Sequence, residues 1–419
     1  MAGGTAARSA AFTVLCRVDD GDRFEHALDR AIRGLQEPDR RLAHEIAAGV
    51  LRQRVLLDRR VDALLTADPR RLQPDLRNLL RIGAYQLLYL DRVPHYAVLS
   101  STVELAKAVK GRRAAGLVNA VLRRLAAEPI GQQMEKRELD LATEHSHPSW
   151  LVDRWLARFG PERTGALLEH NNRRPPLTLQ AARVTTDSLR DLLTVAGVDF
   201  HDAPFGKGLS VRSTRVEAIP GYENGAFIVQ DAGQALLLET AAISRDATVW
   251  DCCAAPGGKA ATLSHRVRIV FASDLRRDRV QVLRDTVTRA AGGVSLFLAD
   301  ATAPPLKPGC IDVVLVDAPC SGTGTIARHP DARWRLSPKL LEQLRDRQAS
   351  ILDAVALVVR ETGSVVYLTC SLESEENDEQ VESFLDRHPE YERAGDDVFL
   401  FPPDSGTDGG YAAHLRRVS

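Results

Sequence analysis

The feature that most constrains the fold is a series of five apolar segments after residue 246, the first four of which lead into helical stretches. The segments are ATVWDCC (247–253), VRIVFASD (267–274), VSLFLAD (294–300), DVVLVDAP (312–319) and GSVVYLTC (363–370). Apolar runs separated by helices are typical of strands that are buried on both faces of a parallel sheet. Right-handed crossovers join such strands, so the sequence predicts a Rossmann-like α/β domain over residues 226–419.

Polar residues stand at the carboxyl ends of these predicted strands, where ligands bind in such folds. Asp274 ends the second strand, Asp300 the third, and Asp317 the fourth with Cys320 just beyond it, while Cys370 ends the fifth. An acid at a strand end is often only the N-cap of the next helix. Three acids at successive strand ends are harder to explain by capping, and they indicate a binding site.

The first strand runs into DCCAAPGGKAATL (251–263), a turn of small residues followed by a helix start. Gly257 and Gly258 let a ligand approach the backbone closely, and the helix N-terminus favours an anionic group. The stretch matches neither GxGxxG nor the P-loop. Asp274 stands where dinucleotide-like folds bind ribose hydroxyls, and Asp300 stands where an adenine edge can be read. The predicted ligand is therefore an adenosine with a small zwitterionic tail.

Cys320 and Cys370 end adjacent strands beside this predicted cleft. A single free cysteine is more often a small buried apolar residue, but the pair suggests thiol chemistry. Only a few per cent of an ordinary thiol is thiolate at neutral pH, and Lys259 together with helix N-terminal dipoles would raise that fraction. The six cysteines form no CxxC pair and no zinc-like spacing, so we expect reduced thiols and no metal.

Residues 1–140 are predicted to form an all-α bundle, and residues 141–225 a small α+β module. Apolar positions from Leu42 to Leu64 follow the spacing of one helix face. Further helices are predicted at 76–92, 101–111 with a Ser or Thr N-cap, 114–125 and 149–170. The middle module is predicted to hold strands at 177–184, 208–213 and 226–231 and a Thr/Asp-capped helix at 185–197.

The distribution of charge favours a phosphate-rich partner for the helical part. Residues 41–126 hold 16 lysines and arginines against 7 aspartates and glutamates, although the whole chain has a net charge of −1. Such a run suits nucleic acid, but it also suits a solvated helix face. No apolar run approaches the ~20 residues of a membrane-spanning helix, and no secretory signal is evident. We therefore expect a soluble cytoplasmic protein, with a monomer as the simplest state.

Three motifs carry a resemblance to a known family. DCCAAPGGK, DAPCSGTGTIARHPDARW and YLTCSLESEEN resemble the motifs of bacterial RNA (cytosine-5)-methyltransferases of the RsmB/Sun family. LRIGAYQLLYLDRVPHYAV and GRRAAGLVNAVLRRL resemble the NusB-like helical domain that this family carries in front. The resemblance implies a multidomain chain with a NusB-like bundle, an RRM- or ferredoxin-like middle module and a methyltransferase domain. It implies methylation of cytosine C5 in unassembled or early-assembly 16S rRNA, with S-adenosyl-L-methionine as cofactor.

The resemblance also implies residue roles. Cys370 is expected to be the nucleophile, Cys320 to aid product release, and Asp317 to position the cytosine, with Lys259 beside them. Asp274 is expected to hold the ribose and Asp300 the adenine region, and Asp317 is expected to bind the cofactor too, since it would lie between the cofactor and the target base. The methionine part of the cofactor is expected to lie against Cys253, Ala254, Ala255, Pro256, Gly257, Gly258 and Lys259.

One segment near these motifs has two possible roles, and one departs from the family pattern. The segment after the Pro-Cys turn has two possible roles, RNA contact or loop packing, and the residues in question are Arg328, His329, Asp331, Arg333 and Trp334. The family usually closes with Asp-Gly-Phe-Phe, whereas this chain has Asp-Gly-Gly-Tyr at 408–411. That difference predicts weaker packing of the last hairpin.

Two other functions stand beside the RNA methyltransferase. NusB-like domains bind RNA by themselves, so one alternative is a non-catalytic RNA-binding or antitermination factor. Such a factor does not need the cofactor loop and both cysteines. The other alternative is a DNA cytosine-5 methyltransferase with Cys320 as nucleophile, which leaves Cys370 and the helical domain unexplained.

Overall fold

A computed structural model describes residues 5–66, 68–128, 139–212 and 215–418. The helices are α1 Thr5–Asp19, α2 Phe24–Ala31, α3 Glu37–Arg52, α4 Arg54–Ala63, α5 Pro74–Tyr89, α6 His95–Lys110, α7 Arg112–Ala127, α8 Leu141–Glu144, α9 Ser149–Asn172, α10 Thr186–Val195, α11 Ala232–Glu239, α12 Gly258–Ser264, α13 Arg277–Ala290, α14 Ala332–Arg335, α15 Pro338–Ala356, α16 Asp378–Arg387 and α17 Pro402–Ser405. The strands are β1 Leu177–Ala181, β2 Phe200–Asp202, β3 Leu209–Val211, β4 Phe227–Val229, β5 Thr248–Asp251, β6 Ile269–Asp274, β7 Val294–Leu298, β8 Ile311–Asp317, β9 Val359–Thr369, β10 Tyr391–Arg393, β11 Val398–Leu400 and β12 Gly410–Arg417.

The chain forms two compact units. The first comprises residues 1–173 together with 326–335, and the second comprises 174–325 and 336–419. The first is therefore helical, α1 to α9 with α14, and the second contains both sheets. The fold class predicted from the sequence is confirmed: a helical NusB-like part, a small ferredoxin-like module and a mixed-sheet methyltransferase domain.

The helical unit packs α1 to α7 around a continuous apolar core. Leu79, Leu80 and Ile82 of α5 are fully buried in it, which matches the apolar pattern of this stretch. The predicted single helix face from Leu42 to Leu64 is divided between α3 and α4, because Gln53 leaves helical geometry at φ −110° and ψ 17°. No described helix in any part of the chain is both long and apolar enough to span a bilayer.

The predicted start of the 101–111 helix is wrong, because α6 begins at His95. Pro94 occupies the N-cap position, where a missing backbone N–H costs nothing. Ser101 lies inside the helix, where its hydroxyl donates to the carbonyl of Ala97 at 2.5 Å. This bond back to the preceding turn satisfies a residue type that otherwise favours helix starts. The predicted end is right, since Gly111 is the C-cap with φ +84°.

The middle module is a four-stranded antiparallel sheet in the order β2-β3-β1-β4, with α10 packed on it. Thr185 caps α10 as predicted, accepting from the amide of Ser188 at 3.2 Å. The strand β2 was not predicted from the sequence. It is only three residues long and ends in an exposed His-Asp pair, so no apolar run marks it.

The larger sheet has eight strands in the order β10-β12-β9-β8-β5-β6-β7, with β11 paired to β12. Strands β5 to β9 are parallel, as predicted, and β12 is antiparallel to β9. Both faces are buried. Val249 of β5 packs in a core with Leu283 of α13, and its neighbour Trp250 packs on the opposite face with Leu352 of α15.

The prediction that a helix follows the third parallel strand is wrong. The chain between β7 and β8 contains turns only, over residues 301–310. Pro304, Pro305 and Pro308 within this connection remove backbone donors and break a helix, and Gly309 adopts φ +64°. The other strands of the predicted series lead into α12, α13, α15 and α16.

The closing hairpin is well packed despite its departure from Asp-Gly-Phe-Phe. Tyr411 is 3% exposed, its ring meets Tyr367 edge-on at 6.5 Å, and its hydroxyl donates to Asp397. A Cβ at Gly410 would lie 2.6 Å from the carbonyl oxygen of Thr369 and 2.9 Å from Leu237. Glycine is therefore the residue that this backbone spacing admits, and the predicted weakening of the hairpin is not seen.

Candidate active site

The loop between β5 and α12 is held closely against the next strand. The amide of Ala254 donates to the carbonyl of Ser273 at 2.8 Å, and Arg279 donates to the carbonyl of Ala255 at 2.6 Å. Gly257 has φ +111°, and a Cβ there would lie 2.9 Å from Leu283. At Gly258 a Cβ would meet nothing nearer than Ile228 at 3.8 Å. The loop thus leaves space beside the backbone at Gly258, in the first turn of α12, whereas Gly257 lies too close to Leu283 for a side chain.

The acids predicted at the next two strand ends differ in their surroundings. Asp274 is 4% exposed, accepts from the amide of Arg276 at 3.2 Å and lies 3.3 Å from the guanidinium of Arg279. Asp300 is partly exposed and accepts from both the amide and the hydroxyl of Thr302, at 3.0 and 2.8 Å. These bonds lower the pKa of Asp300. Asp300 thus makes the local turn expected of a simple capping residue, with its carboxylate still partly open.

Asp251, at the end of β5, is a buried acid that the sequence analysis did not single out. It is 1% exposed, and neither carboxyl oxygen accepts a hydrogen bond of normal geometry from the described residues. Burial, followed by repulsion from Asp317, raises its pKa to about 8, against weaker opposing effects of Lys259 and the amide of Cys253. The available signal was its place in the quoted DCCAAPGGK motif, as the first acid after an apolar strand.

Lys259, in the first turn of α12, forms a partly buried ion pair with Asp317 at the end of β8. The ammonium lies 2.8 Å from the Asp317 carboxylate and 3.2 Å from the side-chain oxygen of Gln234. Burial alone would lower the pKa of Lys259, but attraction to Asp317, and then to Asp251 and Cys370, raises it. Lys259 is therefore a fixed cation beside the cysteine at the end of β9.

Cys320 and Cys370 lie side by side, with their sulfur atoms 3.2 Å apart. The backbone amide of Cys370 also donates to the sulfur of Cys320 at 3.3 Å. Contact with Cys370, then burial, and the nearby Glu376 carboxylate raise the pKa of Cys320 well above that of an ordinary thiol. The structure therefore brings together Cys320, Cys370, Asp317 and Lys259, the four residues predicted to be catalytic.

The segment 326–335, for which RNA contact and packing were both open, is packed within the helical unit. Arg333 is fully buried and donates to the carbonyls of Ser146 and Asn171 at 3.1 and 2.9 Å. Asp331 accepts from the amide of Phe24 at 3.2 Å, and the indole of Trp334 donates to the carbonyl of Leu51 at 2.8 Å. Of the two roles left open, loop packing is the one that the burial of Asp331 and Arg333 supports.

His329 and Arg328, in the same segment, are partly exposed. The imidazole of His329 lies 3.2 Å from the carboxylate of Glu25. This contact, opposed by burial, lowers the pKa of Glu25. The described positions thus assign His329 a partner inside the helical unit.

The fold and the site together define a Rossmann-like enzyme that binds an adenosine cofactor beside a pair of thiols. The donor set fits S-adenosyl-L-methionine, because the loop leaves space beside the backbone at Gly258 and the buried carboxyl of Asp251 lacks a hydrogen-bond partner of normal geometry among the described residues, which a polar ligand can supply. Asp274, at the end of the second strand, stands where ribose hydroxyls bind in related folds.

Comparison with known proteins gives the family. Residues 238–416 match the 16S rRNA methyltransferase RsmB/F family, residues 5–127 the NusB family, and residues 147–215 the RsmF/B-like ferredoxin-like domain. The ribosomal RNA small subunit methyltransferase B of Vibrio cholerae is 34% identical over 98% of this chain and 97% of its own length. A probable ribosomal RNA small subunit methyltransferase B of Synechocystis is 32% identical over 92% and 90%. The chain belongs to the RsmB family of S-adenosyl-L-methionine-dependent rRNA methyltransferases.

Solved structures agree on the fold. The crystal structure of PH0851 superposes with a TM-score of 0.83 over the full length of both chains, at 22% identity. The NSun6 protein of Pyrococcus horikoshii superposes with a TM-score of 0.58 over 65% of this chain and 98% of its own, at 16% identity.

Proposed function

We propose that this protein methylates C5 of a cytosine in 16S rRNA through a covalent adduct between Cys370 and C6 of the base. The observation that carries the proposal is the contact between Cys320 and Cys370, at 3.2 Å, beside the partly buried Lys259–Asp317 ion pair. A methyltransferase that acts on an activated base nitrogen or oxygen needs no thiol pair. Methylation of C5 needs a nucleophile at C6, since this carbon reacts poorly until C6 is saturated, and a second thiol beside the first can assist the release step.

The chemistry divides between the two thiols. The Cys370 thiolate adds to C6, and the electrons of the C5–C6 double bond make C5 enamine-like. S-adenosyl-L-methionine, when bound, supplies an electrophilic methyl group. After C5 has accepted this group, a base removes the C5 proton, and its electrons restore the double bond while the Cys370 sulfur leaves. Cys320 aids this release step.

The electrostatic surroundings support Cys370 rather than Cys320 as the nucleophile. The Lys259 ammonium interacts with Cys370, and a fixed cation favours a thiolate. At Cys320, contact with Cys370, then burial, and the nearby Glu376 carboxylate disfavour the anion and raise the pKa. Cys320 is thus better suited to remain protonated, as a group that donates a proton to the departing thiolate.

The remaining residues are proposed to hold cofactor and base. Cys253 to Lys259 would lie against the methionine part, Asp274 against the ribose and Asp300 against the adenine. Asp317, fixed by Lys259, would position the cytosine by accepting a hydrogen bond from its exocyclic amine. A base must leave any stack to reach such a pocket, which favours unassembled or early-assembly rRNA as substrate.

We further propose a division into residues 1–140, 141–225 and 226–419. The NusB-like and middle modules would contact the RNA backbone and shape. The enzyme would act as a monomer in the cytoplasm, where bacterial rRNA is made and matured.

An adduct-trapping experiment tests the cysteine roles. Cys320→Ala and Cys370→Ala variants are incubated with 16S rRNA and S-adenosyl-L-methionine, and the products are separated on a denaturing gel. We expect a stable RNA–protein adduct with Cys320→Ala, because release is blocked, and neither adduct nor methylation with Cys370→Ala. The reverse pattern would make Cys320 the nucleophile. Absence of methylation and adduct with the unmodified enzyme would favour a non-catalytic RNA-binding factor.

A further inference from the structure

The two cysteine-bearing turns are connected by one buried carboxyl group, that of Glu376. Glu376 lies six residues after Cys370, in the turn before α16, and is 1% exposed. Its hydrogen-bond donors include the residues immediately beyond each cysteine, Ser321 and Ser371.

Both oxygens of the Glu376 carboxyl are occupied. Oε1 accepts from the amide of Ser321 at 2.9 Å and from the side-chain amide of Gln348 at 3.0 Å. Oε2 accepts from the hydroxyls of Ser321 and Ser371, both at 2.5 Å. The partners come from three separate parts of the chain: the turn after β8, the helix α15 and the turn after β9. Because charged acceptors form the stronger hydrogen bonds, this one group fixes the relative positions of three elements.

The surrounding bonds extend this connection to the backbone on either side of each cysteine. Gln348 also donates to the carbonyl of Pro319, the residue before Cys320, at 3.0 Å. The amide of Gly324 donates to the carbonyl of Cys370 at 2.9 Å. The hydroxyl of Tyr367 donates to the backbone carbonyl of Glu376 at 2.7 Å, which holds the carboxyl-bearing turn on β9. Each cysteine is therefore flanked by residues tied to the same centre.

The ionised form of Glu376 suits this arrangement, since all four partners are donors. Burial raises the pKa of Glu376, while the hydrogen bonds from Ser321, Ser371 and Gln348 oppose that rise. A buried carboxylate without partners would be costly. With its partners in place, the same group becomes a rigid connection, because any separation of the two turns removes hydrogen bonds from a buried charged carboxylate.

We propose that Glu376 is a positioning residue that holds the Cys320 and Cys370 turns at the separation that thiol addition and release require. This inference rests on the proposed two-cysteine function. It adds a requirement beyond the two cysteines themselves, because the reaction then depends on a carboxylate that touches neither base nor cofactor. Loss of that carboxylate moves the two thiols apart without removing either.

Kinetics with 16S rRNA and S-adenosyl-L-methionine provide the first test. Glu376→Gln keeps the shape of the side chain but removes the charge, and Glu376→Ala removes the connection. We expect kcat to fall about 10-fold with Glu376→Gln and about 100-fold with Glu376→Ala, since a displacement of ~1 Å costs on the order of 100-fold. KM for RNA is expected to change less than about 3-fold, because the residue contacts no RNA. The matched control is Glu379→Gln, an exposed glutamate three residues further on, with unchanged kcat.

Cross-linking of the two thiols provides a second test that needs no RNA. Diamide oxidises two thiols to a disulfide, and its N=N bond takes up the two hydrogens. In the unmodified protein, sulfur atoms 3.2 Å apart should cross-link rapidly, as read by mass spectrometry of the Cys320–Cys370 peptide pair. We expect the cross-linking rate to fall at least 5-fold in Glu376→Gln, with the control variant unchanged. Comparison of thermal unfolding separates this effect from general loss of the fold.

The outcomes are distinguishable. Lower kcat and slower cross-linking in Glu376→Gln, with folding retained, support the inference. Unchanged kcat and unchanged cross-linking in a folded Glu376→Gln and Glu376→Ala would overturn it, as would a change in KM alone. If the unmodified enzyme neither methylates RNA nor forms an adduct, the proposed function fails, and the cross-linking rates alone then decide whether Glu376 positions the thiols.

Discussion

Replacing Asp251 with asparagine tests whether the acid at the end of β5 is held in its neutral form. The carboxyl is 1% exposed and has no hydrogen-bond partner of normal geometry among the described residues. Its pKa is about 8 in the folded chain, against an ordinary value of 3.8. An acid with a raised pKa binds its proton more tightly in the folded state. Asp251 therefore does not destabilise the folded protein below pH ~4. The free energy of unfolding falls as the pH rises from there toward 8.

The size of the effect follows from the shift. One pKa unit corresponds to about 1.4 kcal/mol. Between pH 5 and pH 8 Asp251 is ionised in the unfolded chain but keeps its proton in the folded one, so the free energy of unfolding falls by on the order of 4 kcal/mol. Asparagine cannot ionise and escapes this cost. The free energy of unfolding of Asp251→Asn, relative to the unmodified protein, should therefore rise by up to about 4 kcal/mol over this range.

Urea unfolding of the ligand-free protein at pH 5, 6, 7 and 8 measures this difference, with one far-UV signal and one tryptophan fluorescence signal. The matched control is Asp396→Asn at an exposed position, for which the difference should be independent of pH within about 0.5 kcal/mol. A flat difference for Asp251→Asn as well would refute the reasoning. It would mean that Lys259 and the amide of Cys253 stabilise an ionised carboxylate in the folded state.

Three further changes have defined outcomes. Arg333→Met should lower the free energy of unfolding of the helical unit by about 3–5 kcal/mol, measured by urea unfolding, because it leaves buried carbonyl acceptors without the guanidinium; a loss below 1 kcal/mol would contradict this. Lys259→Met should lower kcat about 100-fold, because the cation beside Cys370 is lost. The rise of activity with pH should also move to higher pH, and an unchanged pH–rate profile would argue against that role. Gly257→Ala should weaken S-adenosyl-L-methionine binding at least 10-fold in calorimetry, because φ +111° and the 2.9 Å approach to Leu283 exclude a Cβ. The control variant Gly293→Ala, which has open space around the new Cβ, should bind the cofactor normally.

The sequence predicted the larger sheet well because its strands are continuous apolar runs with polar ends. Strand β8 is predicted at 312–319 and observed at Ile311–Asp317, and the parallel order follows from the crossovers. The predicted start of the helix at Ser101 was wrong because the preference of serine for helix starts was overridden. Ser101 has the chemistry of a helix start, yet Pro94 supplies the actual start and the Ser101 hydroxyl is satisfied by the preceding turn.

The sequence placed reactive and charged residues together at the strand ends, and it gave no sign of residues that act through others. Cys370, Cys320, Asp317 and Lys259 are reactive or charged residues at strand ends, so topology alone brings them together. Asp251 and Glu376 owe their interest to burial and to partners distant in sequence, such as Gln348 on α15 and Ser321. No periodicity marks these contacts in the sequence. The same holds for Arg333, whose basic side chain suggests RNA but whose environment is a set of backbone carbonyls.

The two thiols occupy equivalent places, each beyond the end of one of two adjacent parallel strands, so residue type and topology alone do not distinguish their roles. Their neighbours do. The Lys259 ammonium interacts with Cys370, whereas contact with Cys370, then burial, and the Glu376 carboxylate raise the pKa of Cys320. Since a cation favours a thiolate and an anion disfavours it, these neighbours support the proposed roles of Cys370 in attack and Cys320 in release. Removing both charges, by Lys259→Met together with Glu376→Gln, should reduce the difference between the two thiols. Their rates of reaction with an alkylating agent should then be closer together than in the unmodified protein.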